Sequence, residues 1–195
     1  MTTKLSRRCA VAGIAALAAA GLPSGAGAGE IGDEAAAAEA LLMEGKAPEA
    51  LAAFERATAA FWDETPLQLR DAAFADAVEG YGQYRARADA DFRAGNTATI
   101  YVAPVGYGFL TAGETLSLRL TAAVQIVTPG GLVLARADDF GDIAWRGRAP
   151  RREFHAAIGV PLPDLKAGDY ALTLTITDSA TTKSASVTLP FAIVE

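Results

Sequence analysis

Hydrophobic and polar positions alternate one for one in three stretches of the second half of the chain. Leu116, Leu118 and Leu120 face one way while Ser117, Arg119 and Thr121 face the other; Tyr170, Leu172, Leu174 and Ile176 alternate with Ala171, Thr173, Thr175 and Thr177; Val187, Leu189, Phe191 and Ile193 complete the set. A period of two puts successive side chains on opposite faces of a strand. Each stretch therefore predicts a strand buried on one face and wet on the other, the habit of antiparallel sandwiches. Turn sequences fall between these runs: PGG at 129–131, KAGD at 166–169 and DSATTK at 178–183. Pro190, inside the last run, predicts an edge strand or a bulge, because proline cannot donate to a ladder.

The first half follows helical spacing instead. Asp33 is the expected N-cap of a helix that runs through Leu41, Leu42 and Met43 to Gly45 as C-cap. Pro48 is expected at the first position of a second helix, EALAAFERATAAFW, whose Leu51, Phe54, Ala57, Ala60 and Phe61 recur at three- and four-residue steps. The two form a helix-turn-helix hairpin. Pro66 ends that helix. The following LQLRDAAFADAVEG reads as a third helix by its alanine content or as a first strand through Phe74, and its run into a glycine-rich section favours a strand over 70–77. From Gly80 to Tyr107 the chain mixes Tyr81, Tyr84, Tyr101 and Tyr107 with Arg85, Arg87 and Arg93, the place where a special surface is expected to begin.

Three local patterns resemble known proteins. In EGKAPEALAAFERA, Gly45, Ala50, Phe54 and Ala57 occupy the glycine, alanine, aromatic and alanine positions of a tetratricopeptide (TPR) unit. Ala37 and Ala38 stand where that pattern has a larger leucine and a glycine, its terminal proline is displaced to Pro66, and no second copy follows. Since one unit cannot bury its own apolar face, a lone hairpin packed on the sandwich or on another protein is expected. LKAGDYALTLTITD followed by KSASVTLPFAIVE resembles the closing strand pair of immunoglobulin-like and fibronectin-like sandwiches, with Tyr170 in the place of a tyrosine corner and thus structural. The run GYG-x-Y-x-x-R…DFRAGN…IYVAPVGYG, joined to that ending, resembles a family of uncharacterised exported bacterial proteins in which a helical start precedes such a sandwich. That resemblance covers roughly 80–195 and implies acidic residues at the position of Ala103 and near Asn96; both are absent here, and it brings no activity with it. The expected fold is mainly β, an antiparallel immunoglobulin-like sandwich over 70–195 preceded by a short α-helical hairpin over 29–69.

Before the hairpin, a basic start (Lys4, Arg7, Arg8), an apolar run from Ala10 to Leu22 and small residues up to Ala28 have the layout of an export signal over 1–28. Arg7-Arg8 leaves the twin-arginine route open beside the general one. A periplasmic or secreted protein is expected. Cys9 lies within the signal, so the exported chain holds no cysteine, and disulfides, zinc-thiolate sites and thiol catalysis are excluded from it. Charge is uneven: residues 29–95 carry 6 basic and 14 acidic side chains, residues 96–195 carry 8 and 9. Nucleic acid is excluded as a partner, because phosphate neutralisation needs a clustered basic excess. No later apolar run reaches spanning length.

Catalytic chemistry finds little to work with. There is no G-x-S-x-G turn, and the one histidine, His155, alternates with Phe154, Ala156 and Ile158 as a surface or rim residue. Asp138, Asp139 and Asp142 in DDFGD form a weak calcium candidate if the segment is a loop. IAWRGRAPRREF gathers Trp145 with Arg146, Arg148, Arg151 and Arg152, a basic patch able to grip carboxylates on a partner. No cofactor is implied. The expectation is a non-enzymatic periplasmic interaction or accessory module that binds another protein through Tyr81, Tyr84, Arg85, Tyr107, Trp145, Arg146, Arg148 and Arg151. A small-ligand or carbohydrate binder using the rings as stacking platforms is the alternative, and a calcium-assisted hydrolase a third.

Overall fold

A computed structural model describes residues 29–195; the segment 1–28, where an export signal is expected, and Cys9 lie outside the described residues. The helices α1 (Glu30–Met43) and α2 (Ala47–Glu64) form the expected hairpin. The first helix starts at Glu30, with Gly29 as N-cap four residues before Asp33 and without a side-chain cap. Its end follows the glycine rule: Gly45 takes φ +76°, its N–H bonds to the Leu42 carbonyl, and the Lys46 N–H reaches back to Leu41. That pair of bonds is a Schellman motif, which needs the left-handed backbone glycine tolerates best. Lys46 caps α2, which puts Pro48 second rather than first in the helix, still within the turn whose N–H groups lack helical partners. The helices meet through methyl groups, with Ala38, Ala50, Ala53 and Ala57 buried.

Ten strands follow: β1 (Gln68–Gly80), β2 (Gln83–Ala86), β3 (Asp91–Phe92), β4 (Thr97–Val105), β5 (Leu110–Ala112), β6 (Thr115–Val127), β7 (Val133–Gly147), β8 (Ala156–Pro161), β9 (Gly168–Asp178) and β10 (Ser184–Ile193). One sheet has the order β2-β1-β4-β8; the other runs β3-β10-β9-β6-β5, with β7 paired along β6. All pairings are antiparallel except β3 with β10. The ambiguous segment after Pro66 is a strand, as its run into the glycine section favours, though it is longer than expected and bent. A register shift between Arg70 and Ala73 coincides with Asp71 at φ +53°, a bulge beyond which Ala73 and Phe74 still pair with β4, while Ala75 to Gly80 pair with β2 on the other edge.

The core lies between the sheets, and the period-two runs supply it. Leu118, Leu120, Leu172, Leu174 and Ile176 are all at most 1% exposed and pack in one cluster with Ile100, Val102, Ile158 and Val160 of the opposite sheet. Removing so much apolar surface from water is the main force holding the sheets together. The ladder of β10 with β9 passes through Pro190 without a shift, while β3 covers only Ala192 and Ile193, so the proline sits on an open edge. Tyr170 makes the expected corner: its hydroxyl donates to the Lys166 carbonyl at 2.8 Å and its ring leans on Phe191.

Candidate functional site

The end of α2 is fastened to one end of the sandwich. Trp62 Nε1 donates to the Tyr107 carbonyl at 2.6 Å, and its ring meets that of Tyr107 edge to face at 5.2 Å. Lys183 Nζ, from the turn between β9 and β10, donates to the carbonyls of Asp63 and Thr65 at 2.7 Å each and to that of Gly106 at 3.1 Å. A cation there satisfies carbonyls that a helix C-terminus leaves without partners and suits its negative dipole end. Gly106, at φ +82°, has the Pro66 carbonyl so close that an added Cβ would lie 2.5 Å from it. The same turn is held by Asp178, fully buried, whose carboxylate accepts from the N–H groups of Gly108 and Ala180 and the hydroxyl of Thr181.

Fastened in this way, the hairpin does not lay its apolar face on the sandwich. Leu42, Met43, Leu51, Phe54 and Phe61 are 59–89% exposed. Between the helices runs a groove of about 400 Å³, floored by Ala38 and Ala50 and walled by Leu42, Leu51 and Phe54. Sequence periodicity marks these positions as apolar but does not say which partner covers them. Nothing in the sequence marks Trp62 or Lys183 as a fastening residue.

The aromatic and arginine residues expected to form one surface are divided. Tyr84 of β2 stacks on Tyr101 of β4 at 3.9 Å and 10°, and the His155 ring lies nearly parallel to that of Tyr101 at 5.8 Å and 17°. Tyr101 is wholly buried under this stack, and its hydroxyl accepts from the Gly82 N–H. One face of the Tyr84 platform is therefore already occupied. Ala103, the position where relatives are expected to carry a carboxylate, is 1% exposed beside Tyr101 and Ala75. Tyr81 is exposed in the β1–β2 turn, and Arg85 lies 3.9 Å from Asp76. Tyr107 cannot be a stacking platform: its ring is buried among Trp62, Phe109 and Phe154, and its hydroxyl donates to the Arg151 carbonyl. Burial raises its phenol above the usual tyrosine range, against the opposing pull of Arg151 and Arg152.

Trp145 is half-buried on β7, its ring on Phe109 and over Gly147, where an added Cβ would lie 2.3 Å from the indole. Arg146 lies with it along a shallow depression that also holds Arg119, Asp142 and Leu110. Arg148 comes no nearer than 4.0 Å to Glu114. Arg151 donates to the Glu153 carbonyl and lies over the Phe154 ring, and Arg152 lies over Trp62. Tyr84 and Arg85 line a different depression with Ala77, Glu79 and Gln83. The two share no residue, so the rings do not converge on one cavity.

DDFGD is strand, not loop. Ala122 pairs with Gly141 and Val124 with Ala137, so Asp138, Asp139 and Phe140 bulge opposite Ala123. Phe140 turns inward with Val124 and Ile126 while Asp138 pairs with Arg136 and Asp142 with Arg119. Carboxylates spread along a strand and paired with arginines do not converge on an ion, and among the described residues no group of three metal-ligating side chains forms a cluster.

No protein-family model matches the chain, and comparison with curated proteins finds no match. Among solved structures it is similar to a family 123 glycoside hydrolase from Clostridium perfringens, with 11% identity, 67% of this chain, 28% of that one and a TM-score of 0.40. It is also similar to Spo0M, a sporulation control protein from Bacillus subtilis, with 9% identity, 67% of this chain, 50% of that one and a TM-score of 0.35. Self-complemented MyfA, the major subunit of Myf fimbriae from Yersinia enterocolitica, shares 14% identity over 66% of this chain and 99% of its own, with a TM-score of 0.29. This chain spans little more than a quarter of the hydrolase.

Proposed function

We propose that the chain is a non-enzymatic interaction or accessory protein of the periplasm, built from a TPR-like hairpin and an immunoglobulin-like sandwich, and that it works by holding another protein. The observation that carries this reading is the apolar stripe of the hairpin, left open to water while the helix that bears it is fastened to the sandwich at its far end. Soluble chains seldom leave several large apolar side chains exposed side by side unless a partner covers them. No helix among the described residues is long and apolar enough to cross a membrane. The carbohydrate-binding alternative needs its rings in one concavity, and Tyr84 and Trp145 line separate ones.

The test is a photo-reactive side chain placed in turn at Phe54, Arg148 and Arg151 in the exported protein, with adducts identified by mass spectrometry. One discrete protein, caught at Phe54 in living cells and lost when Leu51 is changed to Ser, supports the reading. Absence of a discrete adduct at all three positions overturns it.

A further inference from the structure

We infer that the groove between α1 and α2 receives an amphipathic helix of the partner, apolar on one face and rich in Lys and Arg along its flanks. The inference rests on the interaction reading and names the partner's chemistry.

The shape argues for a helix. Two helices packed through alanines leave between them a furrow whose floor is methyl groups, Ala38 and Ala50, and whose walls are Leu42, Leu51 and Phe54. A third helix seats its side chains into such a furrow as ridges into grooves, and this is a recurring mode of peptide capture. Leu51, Phe54 and Phe61 follow one another at steps of three and seven along α2, a stripe about 15 Å long at 1.5 Å per residue, enough for roughly three turns of a partner helix.

Charge selects which helix. Residues 29–65 hold nine acidic side chains against two basic ones, and both cations are spent inside the hairpin: Lys46 on Glu44 at 2.7 Å, Arg56 on Glu34 at 2.8 Å. Glu39 stands in the groove lining itself. A basic flank meets this field favourably and is steered toward it, whereas a second copy of the chain, or a surface of anionic lipid, brings like charge against it.

The test uses the purified exported chain and a synthetic 18-residue helical peptide with leucines at i, i+3, i+4 and i+7 and lysines on the flanks. The control peptide keeps the leucines and replaces every lysine with glutamate. Fluorescence anisotropy is expected to show at least tenfold tighter binding of the lysine peptide. The advantage should shrink at high salt, and Leu51→Ser or Phe54→Ser should weaken binding at least tenfold. Both side chains are already exposed, so thermal unfolding of these variants should match the parent, which separates lost binding from lost folding. Equal binding of the two peptides, binding by neither, or binding indifferent to both substitutions overturns the inference. So does sedimentation showing a dimer that Phe54→Ser dissolves, since the occupant is then a second copy. If the peptides fail while a cross-link from Phe54 still captures one discrete protein, the interaction reading stands and the helical partner falls.

Discussion

Trp62 Nε1 bonds to the carbonyl oxygen of Tyr107 across 45 residues of sequence, joining the last turn of α2 to the strand-to-strand connection after β4. The ring contact between the same two residues makes the joint apolar as well as polar. Because the apolar stripe of the hairpin is open, this joint and Lys183 decide how the hairpin stands on the sandwich. Trp62→Ala is expected to cost ~2 kcal/mol, below the range for a fully buried tryptophan because Trp62 is half-buried. Limited proteolysis should then cut near Thr65–Leu67 while the sandwich stays protected.

Lys183 acts through three carbonyls rather than through a carboxylate. Lys183→Met keeps much of the apolar stem but leaves the carbonyls of Asp63, Thr65 and Gly106 without their donor. Hydrogen bonds from a charged donor are worth roughly 1.5–3 kcal/mol. Amide exchange in the last turn of α2 should speed up more than exchange in β9, and Lys183→Arg should restore part of the protection. Equal acceleration in both elements would mean that the lysine supports the turn in general and not the helix end.

The strands were legible because a period of two is written wherever one face is wet, as in Leu172, Leu174 and Ile176 alternating with threonines. The hairpin was legible for the matching reason, a glycine stop at Gly45 and a run of apolar steps in α2. The joint was not. Trp62 reads as one more apolar helix residue and Lys183 as a polar turn residue, and only folding brings them to Tyr107 and Gly106. DDFGD misled because consecutive acids beside a glycine look like a loop, whereas long-range pairing with β6 absorbs them as a bulge. Tyr107 misled in the same way, since a tyrosine between two glycines reads as exposed until Trp62 and Phe154 close over it.

Tyr107 also sets an alkaline limit. Its folded pKa is raised above the unfolded value near 10, chiefly by burial. The native state therefore holds the phenol proton more tightly than the unfolded chain does. The stability this contributes is complete below about pH 10 and is lost as pH rises beyond it. Chemical denaturation across the alkaline range should show that loss, and Tyr107→Phe should flatten it while costing about 1 kcal/mol at neutral pH for the bond to the Arg151 carbonyl.

Calcium is expected to leave the melting temperature unchanged, because Asp138 and Asp142 are each matched to an arginine on a strand face. Asp142→Asn should likewise change little, since the pair with Arg119 is solvent-exposed and screened. A calcium-dependent rise in melting temperature that Asp142→Asn abolishes would reinstate an ion site at the bulge.

Asp178 makes the sharpest single-atom test of the turn that carries Lys183. Its two carboxylate oxygens face three donors, the N–H groups of Gly108 and Ala180 and the Thr181 hydroxyl, in a position with no exposure to water. Asparagine has the same shape but replaces one acceptor with an NH₂ group, which turns a donor toward donors. A buried mismatch of that kind costs ~1–3 kcal/mol, more for charged groups. Asp178→Asn should therefore destabilise the fold by at least as much as Lys183→Met, and because Gly108 adjoins the Tyr107 joint, it should also expose the end of α2 to exchange. If the asparagine variant melts like the parent, the carboxylate is not what fixes the turn, and the turn that presents Lys183 is then held by its backbone bonds, from the Asp178 N–H to the Lys183 carbonyl and from the Thr182 N–H to the Asp178 carbonyl.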